Sequence, residues 1–261
     1  MNTTGNTILI TGGGSGIGRG LAEAFHKLGN KVIIAGRRKQ ALQETADANP
    51  GPNAIDTIEL NIEDPASIPA VAAHLAKSHP TLNTVIHNAG IMRPENLLAQ
   101  AGDPAALADA QAILNTNVLG PIRLTSALLP QLQKQPSASI LTVTSGLAFL
   151  PLALTPTYNA TKAAMHSWTQ SLRFQLRATN IQVIEIVPPY VQTELMGAAQ
   201  TADPRAMPLP EFIAEVMQLL ETQPGAHEVL VERVRPLRFA EHKGLENYER
   251  FFIQFNEAMT H

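Results

Sequence analysis

The sequence predicts an α/β fold: one doubly wound domain over residues 1–261, with a parallel sheet of about seven strands flanked by helices on both faces. Three observations predict it. Apolar runs of strand length alternate with longer stretches of helical periodicity from residue 7 to residue 231. A glycine-rich turn, Gly12-Gly13-Gly14-Ser15-Gly16-Ile17-Gly18, separates the first strand from the first helix. No repeat, charge run or low-complexity linker marks a border within the 261 residues.

The elements follow in order. Thr7 to Thr11 reads as a buried strand. Ile17, Leu21, Ala24 and Leu28 then form a helical stripe closed by Gly29-Asn30. Lys31 to Ala35 is a second strand, Arg37 to Ala48 a second helix and Ile55 to Leu60 a third strand. Asp64-Pro65 caps and opens a helix running to about Ser78, and Leu82 to Ile86 is a fourth strand. A long helical zone covers about Pro104 to Leu132. Ser139 to Thr144 is a strand, Thr157 to Ala178 a helix and Ile181 to Val187 a strand. Pro208 to Glu221 is a helix and His227 to Val231 the final strand. Residues 194–225 read as a substrate loop and helix, with the Pro-rich stretch Met196 to Pro210 as a mobile loop. The tail, 233–261, holds four of the eight Phe together with Tyr248, and is expected to contact a neighbouring subunit.

Composition narrows the function. Cysteine is absent, which excludes disulfides, thiolate metal sites, iron–sulfur clusters and cysteine nucleophiles. A net charge of −3 gives no field for nucleic acid or an anionic membrane. The greasiest run, Leu147 to Leu154, is broken by Pro151 and falls far short of the ~20 residues a membrane span needs. The start has no positive charge and no apolar stretch, so no signal peptide is expected and a cytoplasmic location follows as the default. No histidine pair forms HExxH, so no metal is expected. Ser145 lacks the G-x-S-x-G elbow of a hydrolase.

Strand, glycine turn, helix start is the context of a dinucleotide site. Glycines allow a tight turn and close approach to a pyrophosphate, and the amides of a helix N-terminus hold its charge. Farther on, Tyr158 and Lys162 are four apart in a helical stretch and so share a face. A nearby ammonium, joined by a positive nicotinamide, favours phenolate and lowers an ordinary pKa of ~10.

The spacing of Gly12, Gly16 and Gly18 resembles the TGxxxGxG turn of the short-chain dehydrogenase/reductase family. Tyr158-Asn159-Ala160-Thr161-Lys162 is similar to its YxxxK pair, with Ser145 thirteen residues earlier. Asn117 matches its helix asparagine and Asn88-Ala89-Gly90 its NAG turn. The ordered set spans residues 11 to 193. The resemblance implies a Rossmann-type fold and an oxidoreductase acting on CH–OH or C=O groups. It also implies the roles: Tyr158 as acid/base, Ser145 bonding the same substrate oxygen, Lys162 also holding the nicotinamide ribose, and Asn117 supporting a proton relay. Cofactor contacts are implied for Gly12, Ser15, Gly16, Ile17, Gly18, Asn61, Ile62, Asn88, Ala89, Gly90, Tyr158, Lys162, Pro188, Val191 and Thr193. Helices around 104–132 and 157–178 pair across subunits in relatives, so a homodimer or homotetramer is implied.

Cofactor choice rests on Ala35-Gly36-Arg37-Arg38. Gly36 stands where an NAD enzyme carries an acid for the ribose hydroxyls, and Arg37 or Arg38 can clamp a 2′-phosphate. NADP(H), with NADPH preferred over NADH, is the expectation. Three positions depart from the family pattern: Asn61-Ile62 for Asp-Val, His87 for asparagine, and Pro188-Pro189 for Pro-Gly. The Pro-Pro-Tyr-Val-Gln-Thr-Glu-Leu stretch looks like a sub-branch named after an oxidoreductase of the bacterial lipoteichoic-acid operon, a name that gives no substrate. Leu147, Phe149, Leu150, Leu152, Leu154, Tyr190 and Met196 favour an apolar carbonyl compound as partner. Two other readings stand beside a carbonyl reductase: a sugar or polyol dehydrogenase working oxidatively, and a non-catalytic NADPH-binding sensor or scaffold.

Overall fold

The computed structural model describes residues 1–260, except for the side chains of Lys243 and Thr260. Seven strands form one sheet in the order β3-β2-β1-β4-β5-β6-β7, and every pairing is parallel. They are β1 (Thr7–Thr11), β2 (Lys31–Gly36), β3 (Asp56–Glu59), β4 (Thr84–His87), β5 (Ala138–Val143), β6 (Ile181–Val187) and β7 (Glu228–Leu230). The helices between them are α1 (Gly16–Lys27), α2 (Lys39–Asp47), α3 (Ser67–Ser78), α4 (Pro104–Leu114), α5 (Gly120–Leu132), α6 (Pro156–Leu176) and α7 (Leu209–Thr222).

Alternation along the strands builds two cores. Ile8 and Ile10 of β1 point to one face, where Leu21 and Phe25 of α1 and Phe212 and Val216 of α7 cover them. Leu9 points to the other, with Leu75 of α3, Leu124 and Leu128 of α5 and Leu172 of α6. Both faces are covered, so β1, β4 and β5 are buried along their whole length. The strand order reverses between β1 and β4. In open α/β sheets ligands bind outside the strand C-termini at that reversal.

Local chemistry sets the ends. Gly29 adopts φ +81 after α1, a conformation that favours glycine, and its N–H donates to the His26 carbonyl at 2.9 Å. α3 starts at Ser67, later than Asp64-Pro65 suggests. Asp64 Oδ1 accepts from Ala66 N at 2.9 Å in a turn that precedes the helix. The helical zone 104–132 is continuous but changes hand-over pattern at Asn115–Leu119, a π-helical turn between α4 and α5.

Two stretches are held by hydrogen bonds within the chain. The loop 196–210 is tied down: Met207 N donates to Tyr190 O at 2.8 Å and Gln192 N to Met207 O at 2.9 Å. Gln200, itself buried, donates from Nε2 to Val191 O at 2.7 Å. The tail is structured and folds back on its own chain. α8 (Arg235–Arg238) leads to α9 (Leu245–Thr260), which docks on the 149–153 loop. Asn256 Nδ2 donates to Pro151 O at 3.1 Å and Asn256 Oδ1 accepts from Ala153 N at 2.5 Å. Among the described residues, no helix is long and apolar enough to cross a membrane.

Candidate active site

A cavity of about 910 Å³ opens at the C-terminal ends of the strands, over the β1/β4 reversal. Gly12, Ser15, Gly16 and Ile17 line it, as do Arg37, Arg38 and Ile62. Asn88, Ala89 and Gly90 reach it after β4, Ser145 after β5, Tyr158 and Lys162 from α6, and Pro188, Val191 and Thr193 after β6. Of the residues singled out in the sequence, Gly18, Asn61, Asn117, Phe149 and Leu150 stand back from the wall.

The glycine turn is shaped by close contacts. A Cβ on Gly12 would fall 2.9 Å from Asn88 Nδ2, and one on Gly18 would fall 2.3 Å from Gly12 O. Gly18 therefore packs the turn against its own backbone. The β1/β4 junction is locked by Thr11, whose Oγ1 accepts from the N–H of Asn88 and of Ala89, both at 3.1 Å. At the start of α1, Ser15 makes no side-chain cap bond and the first turn has no acid. The helix dipole and free amides there suit an anion. Ser15 Oγ instead accepts from Arg38 Nη2 at 2.9 Å. Exposed Arg37 lies 3.7 Å from the half-buried Glu63 carboxylate. The turn thus fits a dinucleotide pyrophosphate, with Arg38 more than Arg37 joined to it.

The polar side chains on the other wall are fixed from several elements. Ser145 Oγ accepts from Leu147 N at 3.1 Å, and Ser145 also hydrogen-bonds the Tyr158 phenol. Glu95 caps α6 just before Tyr158: its carboxylate accepts from Thr157 N at 2.9 Å and Thr157 Oγ1 at 2.7 Å. Lys162 Nζ donates to Val143 O at 2.8 Å and stands 5.4 Å from the Tyr158 ring centroid. Asn117 sits in the π-helical turn. Its Oδ1 accepts from Ile91 N at 2.9 Å, and its Nδ2 donates to Ile91 O at 3.0 Å and Thr161 Oγ1 at 3.1 Å.

Burial dominates the titration of the pair. It pushes the Tyr158 phenol well above its ordinary value, and a hydrogen bond with Ser145 draws it partway back. Lys162 is expected to depress the phenol together with a positive nicotinamide; in the protein alone burial outweighs the ammonium. Lys162 is itself brought down to about 8 by burial, opposed by the charge of Glu185.

Several wall residues were not singled out in the sequence. Phe255 and Met259 of α9 line the cavity, as do Leu237, Arg233, Arg205 and Asp203. The periodic apolar positions Leu245, Tyr248, Phe252, Phe255 and Met259 were the available signal for α9. Arg205 is paired with Asp203 at 3.0 Å, and Arg93 with Asp109. His166, Glu185 and Glu228 also converge, their ligand-type atoms all within 4.8 Å of one another.

The fold and the site define a dinucleotide-binding oxidoreductase architecture. The short chain dehydrogenase family matches residues 6–204, and the chain belongs to that family. It is 39% identical to an uncharacterized oxidoreductase, DltE, of Bacillus subtilis over 259 residues, 98% of each chain. A short-chain dehydrogenase of Burkholderia cenocepacia, solved in complex with NADP, superposes with a TM-score of 0.77 at 26% identity, over 93% of this chain and 96% of that one. One from Burkholderia phymatum, in complex with NAD, gives 0.78 at 20% identity over 93% and 95%.

Proposed function

We propose that this oxidoreductase is an NADPH-dependent carbonyl reductase/alcohol dehydrogenase, working between a ketone and a secondary alcohol. One observation carries the reading. Ser145, Tyr158 and Lys162 converge on the wall of the same cavity that the glycine turn lines. The glycine turn, Arg38, Val191 and Thr193 would hold a dinucleotide, whose nicotinamide would supply or accept the hydride. Tyr158 gives its phenolic proton to the carbonyl oxygen, and burial keeps that proton in place at neutral pH. Ser145 donates its hydroxyl proton to the same oxygen when substrate is bound. Lys162, held on Val143 O, supports the charge left on the phenol, and Asn117 holds Ile91 and Thr161 beside it.

Leu147, Leu152, Leu154, Met92, Phe255 and Met259 support an apolar substrate. The nearby charges of Arg205 and Arg93 are already met by Asp203 and Asp109. In this reading one domain forms the pocket: Met196, Ala199 and Asp203 line it from the substrate loop, and Leu237, Phe255 and Met259 from the tail, which also remains a candidate subunit contact. A homodimer or homotetramer fits the exposed Leu107 of α4 and Phe174 of α6, and light scattering that returns a monomer would remove it.

The test is NADPH absorbance followed over a panel of ketones, with Tyr158→Phe beside the wild type. Ketone-dependent oxidation in the wild type alone supports the reading. Tight NADPH binding without turnover on any ketone would favour a sensor or scaffold.

A further inference from the structure

Glu185 has no part in the reaction so far described. It stands in β6, otherwise apolar apart from Gln182, with its side chain fully buried. A buried carboxylate is costly unless paired and hydrogen-bonded, so its partners indicate its role. Thr144 Oγ1 donates to Glu185 Oε1 at 2.6 Å. Thr144 is the residue immediately before Ser145. His166 Nδ1 lies 3.0 Å from Oε1 and 2.8 Å from Oε2 of the same carboxylate. His166 is one turn beyond Lys162 on α6 and two turns beyond Tyr158. Its ring meets Phe149 edge-on, with centroids 4.6 Å apart.

We propose that Glu185 is a positioning residue: its one carboxylate ties the end of β5 that presents Ser145 to the face of α6 that presents Tyr158 and Lys162, and sets a negative charge behind Lys162. The proposal rests on the reading of Tyr158 as the proton donor. One strand end and one helix carry the three polar groups, and a tie between the two fixes the gap that a reacting carbonyl must fill. The charge opposes the burial that depresses Lys162. The charged and titratable groups around Glu185 are Lys162, His166 and Arg173 from α6, Glu228 from β7 and Arg238 from α8. Arg238 binds both Glu228 oxygens, at 2.7 and 2.9 Å. A cation therefore already occupies that side, and the cluster is an ion network around Glu185 rather than a metal site.

Glu185→Gln keeps the shape and removes the charge. Two measurements apply to it. The first needs no substrate: the Lys162 ε-carbon resonance is titrated in 13C-lysine protein, assigned with Lys162→Met. Its midpoint should fall from about 8 in the wild type to a lower pH in Glu185→Gln. The second is turnover of the ketone that the wild type reduces best, where kcat should drop roughly 10-fold or more with KM little changed, as small misplacements of reacting groups do. Thr144→Val removes the tie and keeps the charge. It should lower kcat and leave the Lys162 midpoint in place, and Thr144→Ser should restore kcat. An unmoved midpoint together with wild-type kcat in Glu185→Gln overturns the proposal. If Glu185→Gln does not fold, wild-type kcat in Thr144→Val overturns it instead. Full turnover by Tyr158→Phe overturns the reading of the reaction, and the Lys162 titration then judges Glu185 alone.

Discussion

Lys162 Nζ donates to the Val143 carbonyl at 2.8 Å, and this bond fixes the ammonium 5.4 Å from the ring centroid of Tyr158. The lysine is anchored to the strand end rather than free to approach the phenol. Burial favours the protonated phenol, and in the proposed reaction that proton goes to the carbonyl oxygen. Tyr158→Phe preserves the ring and removes that proton. Turnover should fall by about 10²–10⁴-fold, the usual contribution of a positioned acid, while the NADPH dissociation constant stays near that of the wild type. Initial rates and fluorescence titration of NADPH check the two halves. Unchanged ketone reduction would remove Tyr158 from the mechanism.

His87 predicts a pH effect on stability. It is buried, its Nε2 lies 2.7 Å from Thr125 Oγ1, and its Nδ1 has no partner among the described residues. Burial lowers its pKa to about 4 from an ordinary 6.5. The unfolded chain therefore takes up a proton that the folded one refuses between those values. The contribution of neutral His87 is full above pH 6.5 and is lost as pH falls toward 4, by roughly 3 kcal/mol at most. Urea unfolding of wild type and His87→Asn across that window should show a steeper loss for the wild type. Parallel curves would show that another group titrates.

Asn256 predicts how α9 acts on substrate. Its amide bridges Pro151 and Ala153, and the preceding residue, Phe255, lines the cavity. Asn256→Ala removes bonds each worth ~1 kcal/mol net. KM for a long-chain ketone should rise several-fold, with acetone little affected. Equal effects on both ketones, or none, would show that α9 is not a wall of the substrate pocket.

These two cases mark what the sequence makes legible. The sheet is legible because strands buried on both faces read as unbroken apolar runs such as Ile8-Leu9-Ile10, and the helices between them repeat every three or four residues. The candidate site is legible where chemistry depends on local spacing, as in the glycine turn or Tyr158 and Lys162. It is not legible where distant residues meet. Glu95 caps α6 from 62 positions away, and Glu185 finds Thr144 from 41. An acid inside an apolar strand was the only local sign of the second. α9 carries its periodicity openly, but which surface its apolar positions meet depends on distant residues, and Phe255 and Met259 line the cavity.

Cofactor selectivity follows from the end of β2. The two dinucleotides differ by a 2′-phosphate. Arg38 reaches the glycine turn through Ser15, and no carboxylate lies within 4 Å of it among the described residues. Arg37 is shared with Glu63. A charge-assisted bond contributes ~1.5–3 kcal/mol, or roughly 10–150-fold in affinity. The wild type should then prefer NADPH over NADH by at least about tenfold in kcat/KM, a preference that shrinks as salt screens the exposed clamp. Gly36 has room for an acid: a Cβ there would meet only Leu42 Cδ2, at 3.6 Å. Gly36→Asp with Arg37→Leu adds repulsion and removes one attraction, so preference should move toward NADH. Adding Arg38→Leu should move it further than Arg37→Leu alone, because Arg38 is the arginine joined to the turn. The measurement is kcat/KM for both cofactors on one ketone in the wild type and each variant. Equal wild-type values, or a preference that no substitution moves, would reduce both arginines to solvated residues at the start of α2.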